Sequence, residues 1–335
     1  MTLIGKTKFG AVLPAGFRLE LSPDVPVHRQ YQDIVETAQY VEKLGFDSCW
    51  VYDHFCPWPI VKSKHSVFEA WTLLAAISQL TSRIRIGTMV TSVFYRNPAL
   101  LAKIATTVDI ASNGRLDFGI GAGWDKEESE AYGYEFASAG ERVTTFIESV
   151  RTIKKLWTST EGATFDGKNV RVNDAYFYPK PVQKPHPPVL IGGSGERILK
   201  FAAKEANAIN LDSPTLEQTS QKLKVLEAHC KASGRDYDRL EKSIHLFLFL
   251  SKDEREAKNS AKKIYDLYAN AGKNSSNETF EQYQLSRIVG TPKLCVDRLG
   301  EYRKLGVSHF IFWIPDIANH EALELLSSKV IPNLY

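Results

Sequence analysis

The chain has 335 residues, of which 43% are hydrophobic and 24% charged, an ordinary globular composition for one large α/β domain or two smaller ones. The formal net charge of +3 is small and the basic residues are dispersed, so no nucleic-acid partner is expected. The longest apolar runs fall well short of a membrane span. The four cysteines, Cys49, Cys56, Cys230 and Cys295, lack the CxxC spacing of a zinc site or redox pair, and scattered thiols without a signal peptide fit a reducing cytoplasm.

Phe9 to Leu13 is a short apolar run ended by Pro14 and reads as a first strand. Tyr31, Ile34, Val35, Ala38, Val41 and Leu44 fall at helical spacing, with Gly45 as the stop. Ser48 to Tyr52 is a second strand that runs into Asp53-His54-Phe55. A helix is predicted from Val67 to Leu80, a third strand from Arg83 to Val90, and a helix from Pro98 to Ala111. Leu116 to Ile120 is a fourth strand ending in Gly121-Ala122-Gly123-Trp124, and Val143 to Trp157 is a long helix.

The rhythm then breaks. Thr160 to Lys184 contains Asp166-Gly167 between two β-prone runs, a hairpin signal, followed by prolines; it reads as an insertion. A fifth strand, Pro187 to Ile191, runs into Gly192-Gly193-Ser194-Gly195 and a helix. Ala208–Leu211, Ile244–Leu250 and Phe310–Ile314 are three further strands separated by helical segments. Eight largely apolar strands alternating with helices predict a parallel sheet covered on both faces. Their number favours a closed (β/α)8 TIM barrel, one domain over 1–335 with the insertion at about 160–184. An open doubly wound sheet is the alternative, but Gly119-x-Gly121-x-Gly123-Trp124 has Trp where the dinucleotide fingerprint needs glycine.

In a barrel, polar residues just past each strand share one mouth. The glycine loop at 192–195 lets main-chain N–H groups converge beside a helix N-terminus, with Ser194 as its expected N-cap, and so predicts a bound anion such as a phosphate. The plainer alternative is a tight turn. His54 is the best titratable candidate for proton transfer, with Asp53 beside it; the alternative is a surface loop histidine and a capping aspartate. A metal set of His54, Cys56 and His65 matches no recognised spacing, and no metal is expected. Glu128 and Glu130 form either an acid/base pair or solvated partners of a helix dipole. Trp124 either covers an aromatic ring or plugs the barrel top.

The chain resembles the luciferase-like monooxygenase superfamily, and within it the branch that uses coenzyme F420, a deazaflavin. The resemblance rests on Tyr52-Asp53-His54-Phe55, Ile86-Gly87-Thr88-Met89-Val90-Thr91 with Tyr95-Arg96-Asn97-Pro98, and Gly119 to Trp124 followed by Glu128, Glu130 and Ala131-Tyr132-Gly133. The last block runs from Pro179-Lys180-Pro181 to Ile191-Gly192-Gly193-Ser194-Gly195-Glu196. It implies a hydride transfer between F420 and a small organic substrate, in an enzyme that is often a homodimer. It places the cofactor phosphate at Gly192, Gly193, Ser194 and Gly195, and its ring over Gly121, Gly123 and a bulge at Thr88, Met89 and Val90. A non-proline cis peptide is implied within that bulge. His54 and Asp53 would lie at the reactive edge, with His54 taking the substrate proton.

Two departures bear on the reading. The sugar-phosphate dehydrogenases of the branch carry a catalytic glutamate where this chain has Trp124. The aldehyde luciferases carry a flavin-phosphate arginine near Ala122. An FMN-dependent monooxygenase and a non-catalytic flavin or deazaflavin carrier are the two alternatives. The insertion at 160–184 and the loop at 272–277 are expected to wall or cover the mouth.

Overall fold

The computed structural model describes residues 6–273 and 278–334. Eight parallel strands close into a barrel: β1 (Lys8–Val12), β2 (Ser48–Val51), β3 (Arg85–Thr88), β4 (Leu116–Gly121), β5 (Val189–Gly192), β6 (Ala208–Asp212), β7 (Glu241–Leu250) and β8 (His309–Trp313). β8 pairs with both β7 and β1, which closes the ring. The predicted (β/α)8 TIM barrel is thus the fold observed.

The strands are apolar throughout because both faces are covered. β2 and β8 are buried along their whole length, and β7 at all but its first residue. Outside, helices lay one apolar stripe against the barrel; Trp157 meets Phe118 of β4 edge to face at 5.1 Å. Inside, Trp50 fills the lower barrel. A Cβ on Gly10 or Gly87 would stand 2.8 and 2.6 Å from its indole, so β1 and β3 carry glycine where the ring needs room. No helix among the described residues is long and apolar enough to cross a membrane.

The third strand differs from its predicted span. β3 stops at Thr88, the Met89–Val90 peptide is cis, and a short piece, Thr91–Ser92, resumes the pairing with β4. Gly87 pairs with Asp117 and Thr91 with Ile120. Positions 87 to 91 therefore oppose 117 to 120, one residue extra, which is a bulge. The implied cis bond falls inside the 88–90 window.

The segment before β5 does form an antiparallel hairpin, Ala163–Asp166 with Arg171–Ala175. It belongs to a helix-to-strand connection, and such connections lie at the end of the barrel away from the mouth. Glu148, on the helix Ala139–Thr158, accepts N–H bonds from Lys168, Asn169 and Val170 at 2.8–3.1 Å. The hairpin supplies no described residue to the mouth cavity, which corrects its expected role as a wall or lid. Of the second expected cover, residues 274–277 lie outside the described residues, while Lys273 and Glu278 at its two ends do line the cavity. The pattern reading also missed a helix, Phe280–Leu285, and a three-residue strand, Ile288–Gly290, that pairs in parallel with the last residues of β7.

Candidate active site

β2 ends at Val51, so Tyr52, Asp53 and His54 are free to diverge at the barrel mouth. There they meet residues past β1, β3, β4, β5, β6 and β7 around one cavity of about 610 Å³. Asp53, His54, Met89, Val90, Gly121, Gly123 and the whole 192–195 loop line it. Thr88 does not. It is fully buried behind the bulge, and its hydroxyl donates to the Gly119 carbonyl at 2.6 Å.

His54 is held from three sides. Phe17 stacks on its ring at 3.7 Å, Trp124 meets it edge-on at 5.7 Å, and Glu128 Oε2 lies 2.7 Å from Nδ1. A carboxylate only accepts, so Nδ1 carries the hydrogen and neutral His54 keeps its lone pair on Nε2. No described residue hydrogen-bonds to Nε2. Glu128 also accepts from Phe55 N at 2.7 Å, Cys56 N at 3.1 Å and the Tyr95 hydroxyl. Burial opposes its ionisation, but His54, Tyr95 and the Phe55 N–H outweigh burial and hold its carboxyl down at about 2. Glu128 is therefore neither member of an acid/base pair nor a solvated dipole partner; it is wholly buried and fixes a histidine. Glu130 is exposed and faces Lys126 at 3.6 Å.

Asp53 takes a different part from the catalytic one expected of it. It is 1% exposed, and Arg96 grips both of its oxygens at 2.6 and 3.0 Å, with the Thr91 hydroxyl on one of them. Arg96 continues to Glu69, whose carboxylate caps the helix Ala70–Leu80. With its lone pairs so occupied, Asp53 ties the loops after β2 and β3 together and presents no free base to the cavity.

The glycine loop is also sharpened. Gly195, not Ser194, is the N-cap of the helix Glu196–Glu205, and no side chain caps it. Its first N–H groups stay available at the positive end of the helix dipole, which is what a phosphate requires. Gly193 sits at φ +137°, a conformation that L side chains rarely adopt. Gly121 and Gly192 serve another end: a Cβ on either would stand 2.8 Å from Val90 Cγ2. They form the notch in which Val90 of the bulge is seated.

Cys56 turns its thiol to Glu128 at 3.4 Å and His65 bonds Ser63 at 3.0 Å, so these two do not gather with His54. His54, Asp125 and Glu128 do lie close together; Glu128 accepts from His54, Phe55, Cys56 and Tyr95, and Asp125 Oδ1 accepts the N–H of Glu128 at 3.0 Å. Trp124 is 56% exposed at the rim beside Trp58; it does not plug the barrel.

Several cavity residues escaped the sequence reading. Phe17 and Arg18 follow β1, and Asp212 ends β6; their positions past strand ends were a signal that could have found them. His245 sits inside β7 and Arg287 before an unpredicted strand, where periodicity gave no sign. Tyr52 and His245 are joined at 2.8 Å, and His245 and Asp212 at 2.7 Å.

An F420-dependent glucose-6-phosphate dehydrogenase of Amycolatopsis mediterranei is 28% identical over 322 residues, covering 90% of this chain and 94% of that one. Among solved structures, an F420-dependent secondary alcohol dehydrogenase in complex with an F420–acetone adduct superposes with a TM-score of 0.83 at 22% identity, covering 98% of this chain and 99% of that one. A monooxygenase from Streptomyces bottropensis does so at 0.81 and 20% identity, covering 98% and 100%. The family model for luciferase-like monooxygenases matches residues 7–309, and the chain belongs to that family.

Proposed function

We propose that the protein is an oxidoreductase that moves a hydride between coenzyme F420 and a small alcohol or carbonyl substrate. The observation that carries the reading is the His54–Glu128 couple, which leaves Nε2 as a proton acceptor in a cavity large enough for a ring and a substrate. The similarity to F420-dependent dehydrogenases over nine-tenths of the chain supports the choice of cofactor.

The residues fit such a group. The uncapped helix after Gly195 offers N–H donors to its phosphate, and Val90, seated between Gly121 and Gly192, offers an apolar back to its ring. The deazaflavin supplies a carbon that accepts or releases a hydride. The rest of the work is the protein's. Phe17 and Trp124 fix the plane of His54, and Glu128 fixes its tautomer. His54 Nε2 takes the proton of the substrate oxygen as the carbon is oxidised, and returns it in the reverse direction. The imidazolium so formed is stabilised by the Glu128 carboxylate. Trp58 and Trp124 screen the site from water at the rim.

We further propose a cytoplasmic homodimer, the setting and assembly that the resemblance implies; the four buried, unpaired cysteines fit a reducing compartment. Light scattering on the purified protein tests the assembly. The cofactor is tested by titrating F420 and FMN side by side. Micromolar or tighter F420 binding is expected. Tight FMN binding without F420 binding would move the protein to the monooxygenases of its family.

A further inference from the structure

A hydride transfer to F420 needs two proton movements: one proton leaves the substrate oxygen, and one is delivered for each hydride taken up. His54 accounts for the first. Among the described cavity residues, most other candidates for the second are already engaged. Asp53 is bound by Arg96, Tyr95 by Glu128, and Lys273 by Glu127 at 3.2 Å.

One hydrogen-bonded chain remains. Tyr52, at the end of β2, reaches across the barrel mouth to His245 of β7. The Tyr52 hydroxyl lies 2.8 Å from His245 Nε2, and His245 Nδ1 lies 2.7 Å from Asp212 Oδ1 at the end of β6. All three line the cavity. Since Asp212 only accepts, Nδ1 carries the hydrogen, and Nε2 accepts from the Tyr52 O–H. This repeats the order of His54 and Glu128, with a phenol added at the cavity end. Phe17 stands between the two couples, stacked on His54 at 3.7 Å and edge-on to Tyr52 at 5.2 Å.

We infer that Tyr52, His245 and Asp212 form a second proton relay of this site, with Tyr52 meeting the reactants and His245 and Asp212 behind it as the reservoir. The inference rests on the hydride-transfer reading above. In the accepting direction the phenol oxygen takes a proton from the reactants as the Tyr52 O–H bond breaks towards His245 Nε2, and the neutral imidazole becomes an imidazolium still donating Nδ1–H to Asp212. In the delivering direction the stored proton returns from Nε2 to the phenol oxygen as the Tyr52 O–H bond breaks towards the reactants, and the imidazole is neutral again. No electrons move in either direction. Between turnovers water in the open cavity recharges His245 Nε2 through the Tyr52 hydroxyl by the accepting step.

The charged surroundings suit this use. Arg18, Glu20, Asp212 and Tyr268 face Tyr52, and Arg18 and Arg287 face Asp212. Burial keeps the Tyr52 hydroxyl protonated well above the ordinary tyrosine range, although Arg18 pulls the other way. Asp212 stays ionised: the enclosing barrel mouth partly desolvates it although its carboxylate is 73% exposed, but His245, Arg18 and Arg287 hold its carboxyl at about 2.

The test uses Tyr52→Phe, His245→Gln and Asp212→Asn in the full chain. Each is expected to bind F420 as the wild type does and to lose about 10²-fold in kcat. Tyr52→Phe should also reduce the pH–rate profile from two limbs to one. Nitrogen NMR of labelled histidine in cofactor-free protein should find the His245 proton on Nδ1, with the Nε2 resonance moved by Tyr52→Phe. Wild-type kcat in Tyr52→Phe, two retained limbs, or a proton found on Nε2 of neutral His245 would each overturn the relay. A folded wild type with no hydride transfer from F420 to any substrate would instead overturn the functional reading, while the NMR result still decides the state of the relay.

Discussion

Nδ1 of His54 and Oε2 of Glu128 lie 2.7 Å apart although 74 positions separate them in the chain. The contact joins the loop after β2 to the short helix Lys126–Ala131 after β4. It explains why a glutamate is buried there at no net cost to its charge: two main-chain N–H groups and the Tyr95 hydroxyl complete its shell.

Glu128 should make stability depend on acid. Its carboxyl is lowered from 4.5 to about 2, so the unfolded chain takes up this proton at higher pH than the folded one. The stabilisation is complete above about pH 4.5 and disappears as pH falls through about 2, and its size is on the order of 3 kcal/mol. Denaturant unfolding of wild type and Glu128→Gln across pH 2–6 checks this. The wild type should lose more stability over that window than the variant does.

Removing Arg96 should cost fold rather than chemistry alone. Arg96→Met leaves Asp53 buried with only the Thr91 hydroxyl, and a buried charge deprived of its partner typically costs about 3–5 kcal/mol. Urea unfolding of the variant reads this directly. A loss under about 1 kcal/mol would mean that the Asp53–Arg96–Glu69 chain is not what joins the two loops.

The Val90 notch predicts compensation between two sites. Gly192→Ala puts a methyl 2.8 Å from Val90 Cγ2 and should displace the bulge, weakening cofactor binding. Adding Val90→Ala removes the clashing methyl groups and should recover much of that loss. A double-mutant cycle on F420 affinity measures the coupling, expected at about 0.5–3 kcal/mol.

Trp124 should matter to binding and little to folding. At 56% exposure, Trp124→Ala is expected to change the unfolding free energy by about 0.5 kcal/mol or less. KM should rise as the rim opens. A large loss of stability would show that the indole is a structural plug after all.

The barrel was legible because its strands are buried on both faces and so read as continuous apolar runs, Ile244–Leu250 most plainly. Positions immediately past those runs led to His54 and the 192–195 loop without knowledge of contacts. The part of Asp53 was not legible: adjacency to His54 suggested shared chemistry, whereas its partner Arg96 lies 43 positions away. Glu128 had a plausible local explanation in a helix's first turn, and only the three-dimensional approach of two loops distinguishes a buried anchor from a solvated glutamate. His245 is invisible for a further reason, since an imidazole within an apolar strand breaks no pattern. The hairpin at 163–175 was recognisable as a hairpin, but which end of the barrel it occupies depends on its place between a helix and the next strand.

The central claim is that His54, fixed by Glu128, moves the substrate proton in an F420-dependent hydride transfer. The most direct measurement follows F420 absorbance during turnover by wild type and His54→Asn over a panel of small alcohols, with F420 affinity measured on both proteins. Wild type should turn over at least one alcohol. His54→Asn should bind F420 as tightly and be slower by about 10²-fold or more. Turnover by His54→Asn at the wild-type rate would contradict the account.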